Sequence, residues 1–516
     1  MLVARYQLGP MADEVDAEVR RLVADDAVAR LWARDHTLLS DSRVECADRM
    51  GWLDTMDASL AIWPELESSA EKIAAIADHV VLMGMGGSSL FPEVLDRTFG
   101  SAPGRPSLTV IDTTHPAAVA AVGATCPADR TFHLAASKSG STVETRSHLA
   151  WFWQRSQDPS RFGVVTDPGS ALGELARQRG FAHVWENDPD IGGRFSALSM
   201  FGMVPAALVG ADGEALLEAA DEARDVLAPL GDDGDLNVGL VLGAVLGVAA
   251  RSGRDRLTFV LEDRIASFGS WLEQLIAESL GKNGVGVVPV FGEPAELVAA
   301  SAERRVVVGI GDVELPDLVL ADGDRVPTIH LGLEEATDLG AQLLLWEVAT
   351  AFAGGVIGCN PFDQPDVEAA KVAARALLAD PTTIGDTTPT VPIADALELV
   401  GPDDWVAVCA FTDPGSETTR ELERARTALG RRLGVPTTFG VGPRFLHSTG
   451  QLHKGGRDDV VVIQVLDAGS EDLAIPEQPF TFGQLLTAQA DGDLRALAAA
   501  GRRAVRVSVD DLIGLT

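Results

Sequence analysis

Residues 131–145 read TFHLAASKSGSTVET, and this stretch decides the fold prediction. Its first six residues form an apolar run, which is typical of a buried strand. Serines, a lysine and Gly140 then form a turn, and a helical pattern follows Thr142. A strand that passes through a polar turn into a helix is the building unit of an α/β protein.

The same order of strand, turn and helix recurs on both sides of this stretch. Each recurrence is an apolar run that is closed by Gly, Pro, Ser or Asp. In the first part of the chain these runs are HVVLMGMGG (79–87), SLTVIDTTHP (107–116) and RFGVVTDPG (161–169). Strands that alternate with helices need crossover connections, so we predict a mostly parallel sheet within the first 215 residues or so.

Two further series of apolar runs follow. The second series contains strands at 256–263, 285–292 and 304–311, with helices over 236–251 and 270–280. The third series contains runs at 405–411, 437–442, 460–466 and 504–509. The Thr- and Pro-rich stretch 382–395 between them is interpreted as a linker or a surface crossing.

The predicted fold class is therefore α/β, with mostly parallel sheets in three-layer αβα domains and a helical lead-in. The predicted boundaries divide the chain into four parts: a helical N-terminal segment at 1–70, a phosphate-binding domain at 71–215, a second domain at 216–375, and a C-terminal α/β segment at 376–516. This last segment either stands alone or completes the second domain or the active site.

Composition excludes several classes of partner. The chain has 516 residues and a formal net charge of −35, which argues against nucleic acid and anionic membrane because both need basic surface. The four cysteines show no short spacing, so neither a zinc site nor a disulfide framework is expected, and a cytoplasmic location fits. The N-terminal sequence lacks a secretory pattern, and the apolar stretch 238–250 is shorter than the roughly 20 residues that span a bilayer.

Two glycine- and serine-rich turns are candidate phosphate sites. Residues 137–142 bring hydroxyl groups and one ammonium to a helix start, which suits a phosphomonoester. The alternative is an N-cap that carries more hydroxyls than it needs. In residues 84–89, GMGGSS, glycines allow close approach of the backbone to an anion, although such a turn is also common in tight packing.

Residues 191–199, IGGRFSALS, place one arginine after two glycines at a helix start. The guanidinium of Arg194 could stabilise a developing oxyanion, since it never loses its charge. The alternative is a surface arginine after a turn.

The stretch 270–282, SWLEQLIAESLGK, contains the helix predicted over 270–280 and carries a candidate base. Ser270 and Glu273 match a capping box, and Gln274 and Glu278 share one face because they are four residues apart. A carboxylate with apolar neighbours there could have a raised pKa and exchange protons near neutrality. The alternative is an exposed ion pair between Glu278 and Lys282.

Two further blocks carry candidate acid–base groups. In NPFDQPDVEAAK (360–371), Lys371 is predicted two turns into a helix. In RFLHSTGQLHKGG (444–456), His447 and His453 accompany Lys454, and histidine is suited to moving protons at neutral pH. The alternative for this second block is an interaction loop without catalysis.

Together these blocks resemble the phosphoglucose isomerase family, whose fold has two sugar-isomerase (SIS) domains. The resemblance rests on GMGGSS, SKSGSTVET, GGRFS, QLIAESLGK and NPFDQPDVEAAK, which occur in order between residues 81 and 371. The HSTGQ block with its HKGG tail also resembles the family, and the blocks together are most similar to actinobacterial forms, including the isomerase half of transaldolase–isomerase fusions.

The resemblance implies an aldose–ketose isomerase acting on glucose 6-phosphate and fructose 6-phosphate through a cis-enediol, without a cofactor or metal. Glu278 would be the base, Arg194 would stabilise the enediolate, and Lys371 with a histidine would open the sugar ring. The implied substrate-binding residues are Gly86, Gly87, Ser88, Ser137, Lys138, Ser139, Thr142 and Gln274.

One departure from the family pattern concerns the histidine. In common bacterial relatives the histidine block lies between the Glu and Lys blocks, whereas here His447 follows both. His330 lies in the usual interval and is the second candidate. Because the family's histidine can come from a neighbouring subunit, the resemblance implies a homodimer with a shared active site, and it also suggests a link to transaldolase.

Two other functions stay open from the sequence. The first is a different phosphosugar isomerase, of the dual glucose/mannose or amino-sugar type. The second is a sugar-phosphate-binding regulator that keeps the phosphate loops and lacks chemistry. The presence of Glu278, Arg194 and Lys371 together argues against this regulator, as does the lack of a basic DNA-binding segment.

Overall fold

A computed structural model describes residues 3–229, 237–379, 388–469 and 471–516. Within these residues the strands form three sheets, and all their strand pairs are parallel except the pair of β1 with β10. The predicted α/β class with mostly parallel sheets is confirmed. The three sheets are described in turn.

The first sheet has the strand order β3-β2-β4-β5-β6. Its strands are β2 (His79–Met83), β3 (Ser107–Ile111), β4 (Thr131–Ala136), β5 (Phe162–Thr166) and β6 (His183–Glu186). Every residue of β4 and β5 is buried, as expected for parallel strands that helices cover on both faces. The helices of this part are α4 (Leu90–Phe99), α5 (Pro116–Thr125), α6 (Val143–Ser156), α7 (Ala171–Arg179) and α8 (Met200–Val209).

The second sheet has the order β1-β10-β9-β7-β8. Its strands are β1 (Ala4–Gln7), β7 (Arg256–Leu261), β8 (Val288–Phe291), β9 (Arg305–Ile310) and β10 (Thr328–Leu331). The prediction that residues 1–70 are helical is wrong at its start, because β1 pairs antiparallel with β10 and covers the edge of this sheet. The remaining N-terminal helices are α1 (Ala12–Ala24), α2 (Ala27–Trp32) and α3 (Thr55–Ala74).

The helices around the second sheet are α9 (Gly213–Leu227), α10 (Val238–Ser252), α11 (Phe268–Leu280), α12 (Ala295–Ala300), α13 (Leu339–Ile357) and α14 (Val367–Leu378). Helices α10 and α13 pack closely because Gly243 has no side chain: a Cβ there would lie 2.5 Å from the Cβ of Phe352. Residues 336–357 are long and apolar enough to cross a bilayer by length and composition, but 83% of their apolar window is buried inside the protein.

The third sheet has the order β12-β11-β13-β14. Its strands are β11 (Trp405–Phe411), β12 (Thr437–Val441), β13 (Val460–Leu466) and β14 (Arg503–Arg506). Its helices are α15 (Ile393–Glu398), α16 (Glu417–Leu433), α17 (Gly450–Gly455), α18 (Phe482–Ala499) and α19 (Val509–Ile513). Residues 382–387 of the predicted linker lie outside the described residues. The strands of the C-terminal segment form a sheet of their own and do not join the second sheet.

A buried group of ion pairs joins the second and third sheets at the amino ends of their strands. Asp459, which directly precedes β13, accepts hydrogen bonds from Arg256 and Arg304, each at 2.8 Å. Arg256 also pairs with Asp255 at 2.8 Å, and both side chains are only 1% exposed. Breaking one partner of such a pair leaves a buried charge, so this group holds the third sheet firmly against the second.

Candidate active site

A pocket lies at the carboxyl end of the first sheet, beside the loops that follow β2 and β4. Strand order reverses between these two strands, and open α/β sheets bind ligands at such a switch point. The cavity has a volume of about 400 Å³. The predicted catalytic and binding residues all line it: Gly86, Gly87, Ser88, Ser137, Lys138, Ser139, Thr142, Arg194, Gln274, Glu278, Lys371 and His447.

The loop after β4 presents a cluster of hydroxyl groups at the start of α6. Ser137 Oγ lies 3.0 Å from Thr142 Oγ1, and Ser139 Oγ lies 2.9 Å from Ser141 Oγ. Thr142 is the N-cap residue of α6, but its side chain makes no capping hydrogen bond. The hydroxyls therefore serve the loop and the pocket, and the helix N-terminus beside them favours an anion.

Lys138 extends away from this hydroxyl cluster. Its Nζ donates to Asp167 Oδ2 at 2.6 Å and to the carbonyl oxygen of Pro189 at 2.7 Å. The ammonium thus anchors the loop, and Ser137 and Ser139 on either side of Lys138 line the pocket. Asp167 also lines the pocket.

The loop after β2 packs directly against the turn that carries Arg194. A Cβ on Gly87 would overlap the carbonyl oxygen of Gly193, so only glycine lets the two loops meet. Gly86 has a φ of +56°, and a Cβ there would lie 2.8 Å from the carbonyl oxygen of His447. The glycines that suggested close approach to an anion also allow close approach to two other loops.

Gly87→Ala is therefore expected to destabilise the protein, because the new methyl group meets backbone that cannot rotate away. We expect a loss of about 1–3 kcal/mol in the free energy of unfolding, measured by urea denaturation. Gly415→Ala is the matched control, since its nearest neighbour would be an ordinary contact of 3.5 Å with Asp413 Oδ1. Equal unfolding midpoints for the two variants would contradict the close packing of these loops.

Helix α11 brings Gln274 and Glu278 into the pocket on one face, as the four-residue spacing predicts. Gln274 Nε2 donates to Glu278 Oε2 at 3.1 Å and to the carbonyl oxygen of His447 at 2.8 Å. The predicted capping box is wrong, because the helix begins at Phe268 and Ser270 Oγ instead donates to the carbonyl oxygen of Ser267.

Glu278 has polar neighbours where the sequence suggested apolar ones. Its Oε1 lies 3.3 Å from Arg194 Nη1, and its side chain is 11% exposed. The alternative of an exposed pair with Lys282 is wrong, since Lys282 is buried and contacts Asp363 Oδ1 at 2.9 Å. Burial, together with nearby Arg194, lowers the pKa of Lys282 to about 8.

Arg194 is buried, which excludes the alternative of a surface arginine. Its Nε donates to Ser279 Oγ at 2.9 Å, and its Nη1 donates to Gln364 Oε1 at 2.8 Å. Its Nη2 donates to the carbonyl oxygens of Pro361 and Asp363 at 2.9 and 2.8 Å. A guanidinium with this many fixed acceptors is a preorganised positive charge beside the Glu278 carboxylate.

The third sheet supplies the histidine. His447 ends a 3₁₀ turn (Arg444–His447) that follows β12, and its Nε2 lies 3.0 Å from Glu144 Oε1. Burial alone would raise the pKa of Glu144, but His447 beside it keeps that pKa below its ordinary value. Gln489 of α18 donates to the same carboxylate oxygen at 2.6 Å. The other candidate, His330, lies in β10 and is not among the residues that line the pocket.

Five further residues at or beside the site had no role in the sequence interpretation. Glu144 and Gln364 lie in the same recognised blocks as Ser137 and Lys371, and membership of those blocks was the available signal. Glu45, Arg49 and Asp167 also line the pocket. Glu45 and Arg49 come from the N-terminal segment, where no sequence pattern marked them.

Comparison with known proteins identifies the same family that the sequence blocks resemble. Residues 39–288 match the model of the phosphoglucose isomerase family. The chain is 30% identical over 392 residues to glucose-6-phosphate isomerase of Thermus thermophilus, a match that covers 65% of this chain and 92% of the relative. It is 29% identical to glucose-6-phosphate isomerase of Rubrobacter xylanophilus, covering 63% of this chain and 87% of the relative.

Solved structures show the same fold. A crystal structure of a hypothetical protein from Thermus thermophilus is similar with a TM-score of 0.60 and 26% identity, covering 73% of this chain and 100% of that chain. Glucose-6-phosphate isomerase of Chlamydia trachomatis is similar in fold, with a TM-score of 0.53, 21% identity, and coverage of 68% of this chain and 77% of that chain. From its sequence blocks, the pocket they form and these relatives, the chain belongs to the phosphoglucose isomerase family.

Proposed function

We propose that this protein interconverts D-glucose 6-phosphate and D-fructose 6-phosphate by proton transfer through a cis-enediol. The observation that carries the proposal is the contact between the Glu278 carboxylate and the Arg194 guanidinium, 3.3 Å apart in the pocket that holds the hydroxyl loop. A base, a fixed cation and an anion-binding loop in one cavity are what an aldose–ketose isomerisation of a sugar phosphate requires.

The phosphate group of the substrate is placed against the loop 137–142 and Ser88. Hydroxyl groups of Ser137, Ser139 and Thr142 would donate to its oxygens, together with backbone N–H groups at the start of α6. This arrangement lets a protein of strongly negative net charge bind an anion, because the favourable interactions are local.

Proton transfer is assigned to Glu278. Its carboxylate would take the proton from C2 of the open-chain aldose and return it at C1, while the hydroxyl proton on O2 passes to O1, so that the carbonyl group moves from C1 to C2. Arg194 would stabilise the negative charge on the enediolate oxygen, and Gln274 would hold the sugar close to the base. Each role matches the position of the side chain at the pocket wall.

Ring opening must precede this step, since the sugar is mostly cyclic in water. His447 is assigned to proton transfer at the ring oxygen, with Lys371 assisting from α14. Glu144 accepts from His447 Nε2 and leaves the other ring nitrogen for the substrate. The same pocket therefore contains groups for both steps.

The catalytic pair distinguishes this proposal from a regulator that binds sugar phosphate. A sensor needs the hydroxyl loop but has no use for a buried Glu278 beside Arg194. Other phosphosugar isomerases would share the pair, so mannose 6-phosphate and glucosamine 6-phosphate belong in the same assay as comparison substrates.

The assembly and location follow from the family resemblance. We propose a cytoplasmic homodimer, and a functional link to transaldolase. The four cysteines are buried and unpaired, which supports a reducing compartment. His447 lies beside Glu144 of the same chain. The proposed dimer therefore does not rest on a histidine supplied by a partner subunit.

A coupled assay tests the function directly. Fructose 6-phosphate is supplied in the presence of EDTA, and glucose 6-phosphate formation is followed through a dehydrogenase. We expect turnover of about 1–10³ per second, the usual range for enzymes. Binding of the sugar phosphate without any turnover would contradict the proposal and favour the regulator.

A further inference from the structure

The 3₁₀ turn that ends with His447 begins with an arginine whose head group lies outside the pocket. Arg444 Nη1 lies 2.6 Å from Glu93 Oε2, and its Nε lies 2.8 Å from Asp112 Oδ2. Glu93 belongs to α4, and Asp112 directly follows β3. One guanidinium from the third sheet thus bridges two carboxylates of the first sheet and its helices.

The same guanidinium also acts electrostatically on a glutamate of α11. Glu273 of α11 is close enough to Arg444 to be stabilised by it, although burial raises the pKa of Glu273 to about 7. Burial disfavours a charged Arg444, but Asp112 and Glu93 raise its pKa overall. The side chain of Asp112 is 4% exposed, against 28% for Arg444, so moving the guanidinium away would leave the buried Asp112 carboxylate without its cation.

The two segments that contact the Arg444 guanidinium, and helix α11 that packs against α4, also build the pocket. Helix α4 continues from the loop that contains Gly86 and Ser88, β3 pairs with β2, and α11 carries the Gln274 and Glu278 side chains. The contacts of Arg444 therefore fix the position of the 3₁₀ turn relative to Glu278 and to the loop that contains Gly86 and Ser88.

The third sheet is held against the second without the contacts of Arg444. The ion pairs of Asp459 with Arg256 and Arg304 already join the third sheet to the second at the amino ends of the strands. Arg444 lies at the opposite, carboxyl end, where β12 leads into the His447 turn. Its contacts act where the histidine meets the first sheet.

We propose that Arg444 is a positioning residue for ring opening: its bridge to Glu93 and Asp112 sets the place of His447 in the pocket. The inference rests on the proposed function, because it assumes that His447 acts on the ring of the sugar phosphate. Arg444 itself does not line the pocket, so its effect passes through the turn that it begins.

The test compares a substrate that needs ring opening with an analogue that does not. Glucose 6-phosphate is cyclic, whereas its 4,5-dideoxy analogue has no hydroxyl group that can close a five- or six-membered ring. Arg444→Gln should lower kcat for glucose 6-phosphate by about 10- to 100-fold, since a displaced catalytic group costs that much. The rate with the analogue and the KM for both substrates should stay near the wild-type values.

Arg444→Lys keeps the charge but cannot bridge two carboxylates in the same way, so it should show the same selective loss with less destabilisation. Asp112→Asn should cause the same selective loss of kcat, because it removes the carboxylate that Arg444 contacts. Combining it with Arg444→Gln should lower kcat little further, because both changes break the same contact. If Arg444→Gln does not fold, Arg444→Lys is the variant that tests the positioning role.

Arg503→Gln is the matched control. It breaks an ion pair of the same sheet, in which Arg503 contacts Asp404 at 2.5 and 2.8 Å, and it should lower the Tm without changing kcat on either substrate. An unchanged kcat for both Arg444 variants, or an equal loss on both substrates, would refute the positioning role. If the wild type converted neither substrate, the proposed function would be refuted, and this inference with it.

Discussion

Glu278→Gln is expected to remove most of the isomerase activity while sugar-phosphate binding persists. The amide has the shape of the carboxylate but cannot accept the C2 proton, and loss of a general base lowers rates by about 10²–10⁴-fold. Gln274 can still donate to the side chain at this position, as it does to Glu278 Oε2 at 3.1 Å, so the pocket keeps its form. The measurements are kcat in the coupled assay and the Kd for fructose 6-phosphate by calorimetry.

Exchange of hydrogen at C2 with deuterated solvent gives a second measurement of the same step. The variant should lose exchange in parallel with turnover, because both need removal of the C2 proton. Glu347→Gln is the control: this glutamate is also buried, lies in α13 and is not among the residues lining the pocket, so its substitution should leave exchange intact. Wild-type exchange in Glu278→Gln would show that another group is the base.

Arg194→Lys is expected to cause the second largest loss. Lysine keeps one positive charge, but it has no planar fork to reach Ser279, Gln364 and the carbonyl oxygen of Pro361 together. The cation would therefore shift away from the enediolate, and removing one preorganised donor costs about 10²–10³ in kcat. KM should change much less than kcat, since the charge develops only in the transition state.

A buried arginine elsewhere controls for loss of stability. Arg305 of β9 pairs with Glu293, and neither side chain is exposed to solvent. Arg305→Lys should lower the Tm as Arg194→Lys does, but leave kcat unchanged. If Arg194→Lys changed only the Tm, the guanidinium would be part of the packing and not of the reaction.

Much of the fold was predictable because its signals are local. The apolar runs at 131–136, 162–166 and 460–466 became strands, and each is closed by a polar turn as the sequence indicates. The shared face of Gln274 and Glu278 was also predictable, since residues four apart on a helix are always neighbours. Strand β1 was missed because four residues of alternating burial carry little signal until β10 provides a partner.

The environment of each proposed catalytic group was not predictable, because its partners lie far apart in the chain. Arg194 donates to the carbonyl oxygen of Pro361, which is 167 residues away, and Arg194 in turn is the polar neighbour of Glu278 where apolar surroundings were expected. Glu144 and His447 are 303 residues apart. No local pattern can choose among several distant partners.

The sequence by itself determined the α/β class, the loops that suit a phosphate, and the helix face shared by Gln274 and the proposed base Glu278, since strand period, turn chemistry and helix spacing act within about ten residues. Only the tertiary structure decided which histidine reaches the pocket. His447 and His330 are equivalent by residue type, but β12 directs His447 toward Glu144 while β10 holds His330 in the second sheet. That choice depends on how three sheets pack, and packing is set by contacts between segments hundreds of residues apart.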